Sequence, residues 1–172
     1  MVKLFRCNIC GDPYIGDSAP SRCPFCGAYE KYMVPIEKYS GNFNVELNET
    51  DKKNVEYALE VEISNTAFYF CAAEKTETEN KRKLFKALGK VEKEHASIWK
   101  KILKLDKIDI PESFACSESD GANLKESHDR EARAIAFYKK AEKEAENARV
   151  KQLFRAIVEI EEDHLTFSEG AY

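Results

Sequence analysis

The chain has 172 residues, of which 34% are charged, with 27 Lys and Arg against 31 Asp and Glu for a net charge of −4. Acidic and basic residues are interspersed, so no basic stripe exists to release counterions from nucleic acid, and a nucleic-acid partner is excluded. The longest uncharged stretch, residues 63–73, falls well short of the ~20 apolar residues a membrane span needs. The opening MVKLFRC has no apolar core of a secretory leader, so a soluble cytoplasmic protein is expected.

Gly11, Pro13, Gly16, Pro20, Pro24, Gly27, Pro35 and Gly41 put eight of the twelve glycines and prolines into the first 41 residues. A turn-dense module therefore precedes a region nearly free of helix breakers. The expected division is a small module over 1–38, a linker over 39–50 and a helical domain over 51–172.

Within the module, Cys7-Asn-Ile-Cys10-Gly and Cys23-Pro-Phe-Cys26-Gly are two Cys-x-x-Cys pairs separated by 12 residues. Each short pair can fold so that backbone N–H groups point at its sulfurs, and two such knuckles close a tetrahedral tetrathiolate site on Cys7, Cys10, Cys23 and Cys26. Disulfides are the competing use, and a reducing cytosol disfavours them. Zinc and iron both accept tetrahedral sulfur, so the spacing alone leaves both open. Cys71 and Cys116 have no partner nearby in sequence, and Cys71 reads as a small apolar filler of a helix.

From Asp51 onward the apolar residues recur every three or four positions, as in Leu84, Leu88, Val91, Ile98, Ile102 and in Val150, Leu153, Ile157, Ile160. This predicts four helices, over 51–76, 79–104, 120–146 and 148–168, with Thr78 and Asn147 capping the second and fourth. Residues 54–98 shifted by 69 positions fall on 123–167 without a gap, with 12 identities in 45 positions. Shared Leu, Phe and Ala would accompany any two amphipathic hairpins, but the matches Glu62/Glu131, Glu92/Glu161 and His95/His164 need another cause. Two hairpins related by a pseudo-twofold axis are expected. The 15-residue stretch from Leu105 to Ser119 can span about 50 Å at ~3.3 Å per residue. A 26-residue helix is about 39 Å long, so the stretch can cross the bundle and set the second and third helices parallel.

Glu92 and His95, like Glu161 and His164, are three residues apart and share a helical face inside the apolar stripe. Glu62 and Glu131 lie on the inward faces of the first and third helices, each seven residues before a tyrosine, Tyr69 or Tyr138. Four carboxylates in one core are untenable without compensating charge, and two divalent cations would balance them. Oxygen donors with two imidazoles suit iron or manganese, accommodate zinc and fit copper poorly. Solvated glutamates with space-filling histidines are the plain alternative, and the repetition of the whole set at one offset argues against it. Tyr69 and Tyr138 are candidates to donate hydrogen bonds to these carboxylates and to carry protons or electrons, or are simply core tyrosines with satisfied hydroxyls. His128, one turn before Glu131, is either a further donor or a surface histidine near a helix end.

The donor set resembles that of ferritin-like di-iron carboxylate bundles. With CNICG and CPFCG ahead of EISNTAFY, EKEH, EARAIAFY and EEDH, nearly the whole chain resembles the rubrerythrins, in the reverse arrangement that places the rubredoxin-like module first. The resemblance implies a mainly α fold: a ferritin-like four-helix bundle with one long crossover, preceded by a rubredoxin-like knuckle module. It implies a mononuclear tetrathiolate iron and a di-iron centre, with reduction of hydrogen peroxide to water using electrons from a separate reductase. It further implies a homodimer in which the knuckle iron of one subunit lies near the di-iron site of the other. Many rubrerythrins carry an extra carboxylate one turn after the third-helix ligand, where this chain has Ala134, with Asn65 as its repeat partner. That departure brings in dioxygen as a rival oxidant, hence a ferroxidase or oxygen reductase. An iron-handling protein with a zinc-ribbon docking module is the alternative of another class.

Overall fold

The computed structural model describes residues 1–170. Three short strands open the chain: β1 (Lys3–Cys7), β2 (Pro13–Gly16) and β3 (Met33–Pro35). They form one antiparallel sheet in the order β2-β1-β3, with Phe5 opposite both Tyr14 and Pro35 and Cys7 opposite Met33. The two Cys-x-x-Cys turns are built alike. Gly11 and Gly27 follow the second cysteine of each pair at φ +88° and +77°, a left-handed conformation that costs glycine little. Their N–H groups return to the carbonyls of Cys7 and Cys23 at 2.9 and 3.0 Å.

Residues 39–48 carry no regular structure and lead into α1 (Glu49–Lys75), α2 (Glu79–Ile102), α3 (Asp120–Glu144) and α4 (Ala148–Gly170). The predicted boundaries hold to within about two residues, the usual fraying of helix ends. Asn147 caps α4, its Oδ1 accepting from the N–H of Arg149 at 2.9 Å and of Val150 at 3.2 Å. Thr78 occupies the cap position of α2 without capping it. Its hydroxyl turns instead toward Asp120 at 3.5 Å, and Thr76 Oγ1 takes the Thr78 N–H.

The pseudo-symmetry extends to the helix ends. Asp51 is buried and accepts from the N–H groups of Glu146 and Asn147 in the α3–α4 turn. Asp120, 69 positions on, faces Thr78 in the α1–α2 turn and pairs with Lys81 at 3.2 Å. The start of α3 therefore lies beside the start of α2, so the stretch after α2 runs back along the bundle and makes α2 and α3 parallel.

One expectation is corrected. Cys71 and Cys116 are partners, joined by a disulfide with Cα atoms 6.1 Å apart across a sequence separation of 45. The crossover passes over α1 at this point, and Lys75 Nζ also binds the Cys116 carbonyl at 3.2 Å. Proximity made by a long return connection leaves no trace in local spacing.

The apolar core is continuous from the knuckle module into the bundle, taking in Phe5, Ile9, Ala28 and Met33 together with Trp99, Tyr138, Phe154 and Ile160. Polar contacts reinforce the docking on α2 and α4: Arg22 to Asp163 at 2.8 Å, Lys31 to Glu159 at 2.6 Å, and Lys101 Nζ to the Cys10 carbonyl at 2.8 Å.

Candidate metal centres

The helical periods of α1 to α4 turn Glu62, Glu92, His95, Glu131, Glu161 and His164 inward, and all six are buried. Their donor atoms form two overlapping groups, Glu62, Glu92, His95, Glu161 and Glu92, Glu131, Glu161, His164, each gathered within 4.8 Å. Glu92 and Glu161 belong to both groups and so lie between two positions, each completed by one terminal glutamate and one histidine. His95 Nδ1 is 3.1 Å from Glu161 and 3.7 Å from both Glu62 and Glu92. His164 Nδ1 is 2.8 Å from Glu161 and 3.0 Å from Glu92. The two imidazoles face each other 6.1 Å apart, nearly parallel.

Two tyrosines cross the bundle to the terminal carboxylates. Tyr138 donates to Glu62, and its repeat counterpart Tyr69 donates to Glu131 with Ser127 Oγ 2.8 Å from its hydroxyl. Burial and the neighbouring Glu131 and Glu62 charges hold both phenols protonated far above their ordinary range.

The electrostatics of the cluster divide by position. Burial, then the Glu92 charge, pushes Glu62 well up, and burial with Glu161 does the same to Glu131. Burial opposes the charged form of Glu92, but bonding to His164 and His95 outweighs it and draws the carboxyl well below its usual range. Burial likewise works against both imidazoliums, and Glu161 and Glu92 override it, raising both histidines. Glu62 Oε2, both Glu92 oxygens, Glu131 Oε2, Glu161 Oε1 and His95 Nδ1 lack a well-aligned hydrogen-bond partner. Buried polar atoms are rarely left so, and six orphans converging on two points fit two divalent cations.

In the knuckle module all four cysteines are buried and none is disulfide-bonded. Cys7 and Cys26 sulfurs lie 3.8 Å apart and those of Cys10 and Cys23 3.7 Å apart, while the N–H groups of Ile9 and Asp12 reach Cys7 and Cys10 at 3.4 Å. Four close sulfurs with backbone donors fit a tetrathiolate metal.

The two centres meet. His95 Nε2 lies 3.0 Å from the Cys26 carbonyl oxygen. A carbonyl can only accept, so Nε2 carries the hydrogen and Nδ1 is left toward the carboxylates as the ligand atom. The knuckle thus sits against the cluster of its own chain, where the resemblance implied the partner subunit's. Beside this junction, Glu94 packs near Asp12, and burial with the Asp12 charge pushes its carboxyl up to about 7.

His128 is half-buried, lies 3.6 Å from Asp129 and belongs to neither donor group. Ala134 is buried and brings no donor; Asn65, its counterpart, binds Arg130 at 3.2 Å through Oδ1. Sequence reasoning missed Ser127 and the Cys26 carbonyl. A serine has no periodic signature, and a backbone atom has no residue identity to read.

Comparison with known proteins agrees with this geometry. The rubrerythrin family model matches residues 53–172, and the model of the rubredoxin-like domain of rubrerythrins matches residues 5–33. A stretch of 36 residues, 21% of the chain, is 42% identical to Reverse rubrerythrin-1 of Clostridium acetobutylicum and spans 20% of that protein's length. No solved structure matches the chain. With a rubredoxin-like module ahead of a ferritin-like bundle that carries a carboxylate and histidine cluster, the chain belongs to the rubrerythrin family.

Proposed function

We propose that this protein is a cytoplasmic peroxidase that reduces hydrogen peroxide to water at the bundle cluster, drawing electrons through the knuckle site from a separate reductase, and that it works as a homodimer. In this reading Glu62, Glu92, His95, Glu131, Glu161 and His164 hold two iron ions, and Cys7, Cys10, Cys23 and Cys26 hold one. Residues 1–38 are the electron-carrying module, 39–50 the linker and 51–172 the catalytic bundle. The observation that carries the reading is the single hydrogen bond between Cys26 and His95, because it puts the two candidate metal sites in contact, as an electron relay requires.

Iron held by these six residues would supply the two electrons that O–O cleavage requires. The chain does the rest. Glu92 and Glu161 belong to both donor groups and would hold both ions, while the second nitrogen of His95 is tied to the knuckle backbone. Cleavage to two waters also consumes two protons. Tyr138 and Tyr69 keep their protons beside Glu62 and Glu131, and each tyrosine–glutamate pair is placed to pass one inward. The enclosing helices leave five of the six donors without solvent exposure, which keeps stray water from competing for the reacting atoms.

One observation favours a second reading. Ala134 leaves the cluster with six protein donors, a set also suited to ferrous oxidation by dioxygen. Turnover with peroxide and with dioxygen, measured on the same iron-loaded preparation with an artificial reductant, separates the two. Faster peroxide turnover supports the proposal, and faster dioxygen turnover replaces it with an oxygen reductase.

A further inference from the structure

The disulfide lies outside both metal centres, and its surroundings suit a reactive pair better than a buried staple. Both half-cystines are only partly buried. Cys116 lines a cavity of about 340 Å³ with Phe68, Ser117, Asn123, Glu126 and Arg130, so this half of the bridge faces space that a small oxidant or thiol can enter. Lys75 Nζ is held on the Cys116 carbonyl at 3.2 Å and paired with Glu118, and Arg130, which lines the cavity, is paired with Glu126 at 2.9 Å. The thiolate of the reduced pair is the form that attacks peroxides and disulfides. Across the bridge, Cys71 lies on α1 with its sulfur 3.0 Å from the Phe114 carbonyl.

We propose that Cys71 and Cys116 are a redox-active dithiol–disulfide pair, a third redox site of this protein, oxidised by peroxide and reduced by a small dithiol. The Cys116 thiolate attacks one peroxide oxygen; an S–O bond forms, the O–O bond breaks, and the departing hydroxide takes a proton to become water. The Cys71 thiol then attacks the Cys116 sulfenic acid; the S–S bond forms, the S–O bond breaks, and a second water leaves. Two thiols and one peroxide thus give one disulfide and two waters. In the reverse direction an exogenous dithiol thiolate attacks Cys116 Sγ from the cavity, expels the Cys71 thiolate and closes to its own disulfide. The pair also sets the crossover. Phe114 and Cys116 pack on the cluster of Phe68, Tyr69, Ala72, Phe85 and Leu88, so opening the bridge frees the connection that covers the end of the bundle holding Tyr69.

The test uses folded holoprotein. It is treated with dithiothreitol, desalted without air and given one equivalent of hydrogen peroxide, and the peptides carrying Cys71 and Cys116 are followed by alkylation and mass spectrometry. Both cysteines should become alkylatable after the dithiol, and both should lose alkylation after peroxide and be recovered as a linked pair lighter by two hydrogen atoms. In Cys71→Ser, Cys116 should accumulate as a sulfenic acid trapped by a dimedone probe. The same cycle in protein loaded with redox-inert zinc separates this chemistry from the activity of the metal pair. A bridge that the dithiol opens only after unfolding, or a reduced pair that peroxide leaves unlinked, overturns the proposal, and the wild-type measurement decides it even if the variant does not fold.

Discussion

The Cys26 carbonyl oxygen and His95 Nε2 lie 3.0 Å apart although the residues are 69 positions apart in sequence. This contact depends on how closely the second knuckle rides on α4. Gly27, at φ +77°, faces Ile160, and an added Cβ would stand 3.1 Å from its Cγ2.

Gly27→Ala should therefore act on both stability and electron transfer. A side chain in the left-handed region costs about 1–2 kcal/mol, visible as a lower urea midpoint. Lifting the Cys26 carbonyl off His95 should slow reoxidation of the knuckle metal, since a shift of about 1 Å in a reacting geometry can cost on the order of 10²-fold. Adding Ile160→Ala removes the Cγ2 that crowds the new methyl group and should restore part of the rate. A Gly27→Ala protein with unchanged transfer would show that the contact is not on the route.

Tyr138→Phe removes the donor to Glu62 and leaves a buried acceptor unsatisfied, a loss of about 1–3 kcal/mol. Tyr69→Phe should cost less, because Ser127 remains beside the vacated hydroxyl position. Thermal unfolding of the two metal-free variants gives the order, and peroxide turnover of the loaded forms should fall in both.

Metal uptake should release protons. Burial and neighbouring charges raise Glu62 and Glu131, the carboxylates around them raise His95 and His164, and bonding to the histidines lowers Glu92 and Glu161. The four raised donors keep their protons to higher pH than free side chains do, and a metal ion must displace those protons to bind. The sign follows: lower pH favours the protonated, metal-free form, so affinity should fall steeply as pH drops. Titration calorimetry in buffers of different ionisation enthalpy measures the protons released, and a pH-independent affinity would contradict the assignment.

Reducing the disulfide should lower stability. It closes a loop of 45 residues, for which chain entropy gives about 4 kcal/mol. Urea unfolding with and without dithiothreitol, compared with Cys71→Ser/Cys116→Ser, checks this.

Much of the fold and of the candidate donor set is legible in the sequence because the donors are periodic, charged residues. Glu92 and His95 repeat at Glu161 and His164, and a helix of known pitch places each pair on one face. The cysteine knuckles were legible because two glycines and a fixed spacing define a local turn. The disulfide and the Thr78 cap were misread. Cys71 meets Cys116 only because the crossover returns over α1, and Thr78 turns toward Asp120, a neighbour supplied by another hairpin. The docking of the knuckle on its own bundle was also out of reach, since Arg22, Lys31, Asp163 and Glu159 look in sequence like any solvated charges.

Stopped-flow mixing of fully reduced, iron-loaded protein with hydrogen peroxide tests the relay most directly. The absorption of the oxidised tetrathiolate iron should return as fast as peroxide is consumed, and far more slowly in the same chain with zinc in the bundle cluster. Equal rates in the two preparations would mean that the knuckle reacts with peroxide on its own and that the contact between Cys26 and His95 carries no electrons.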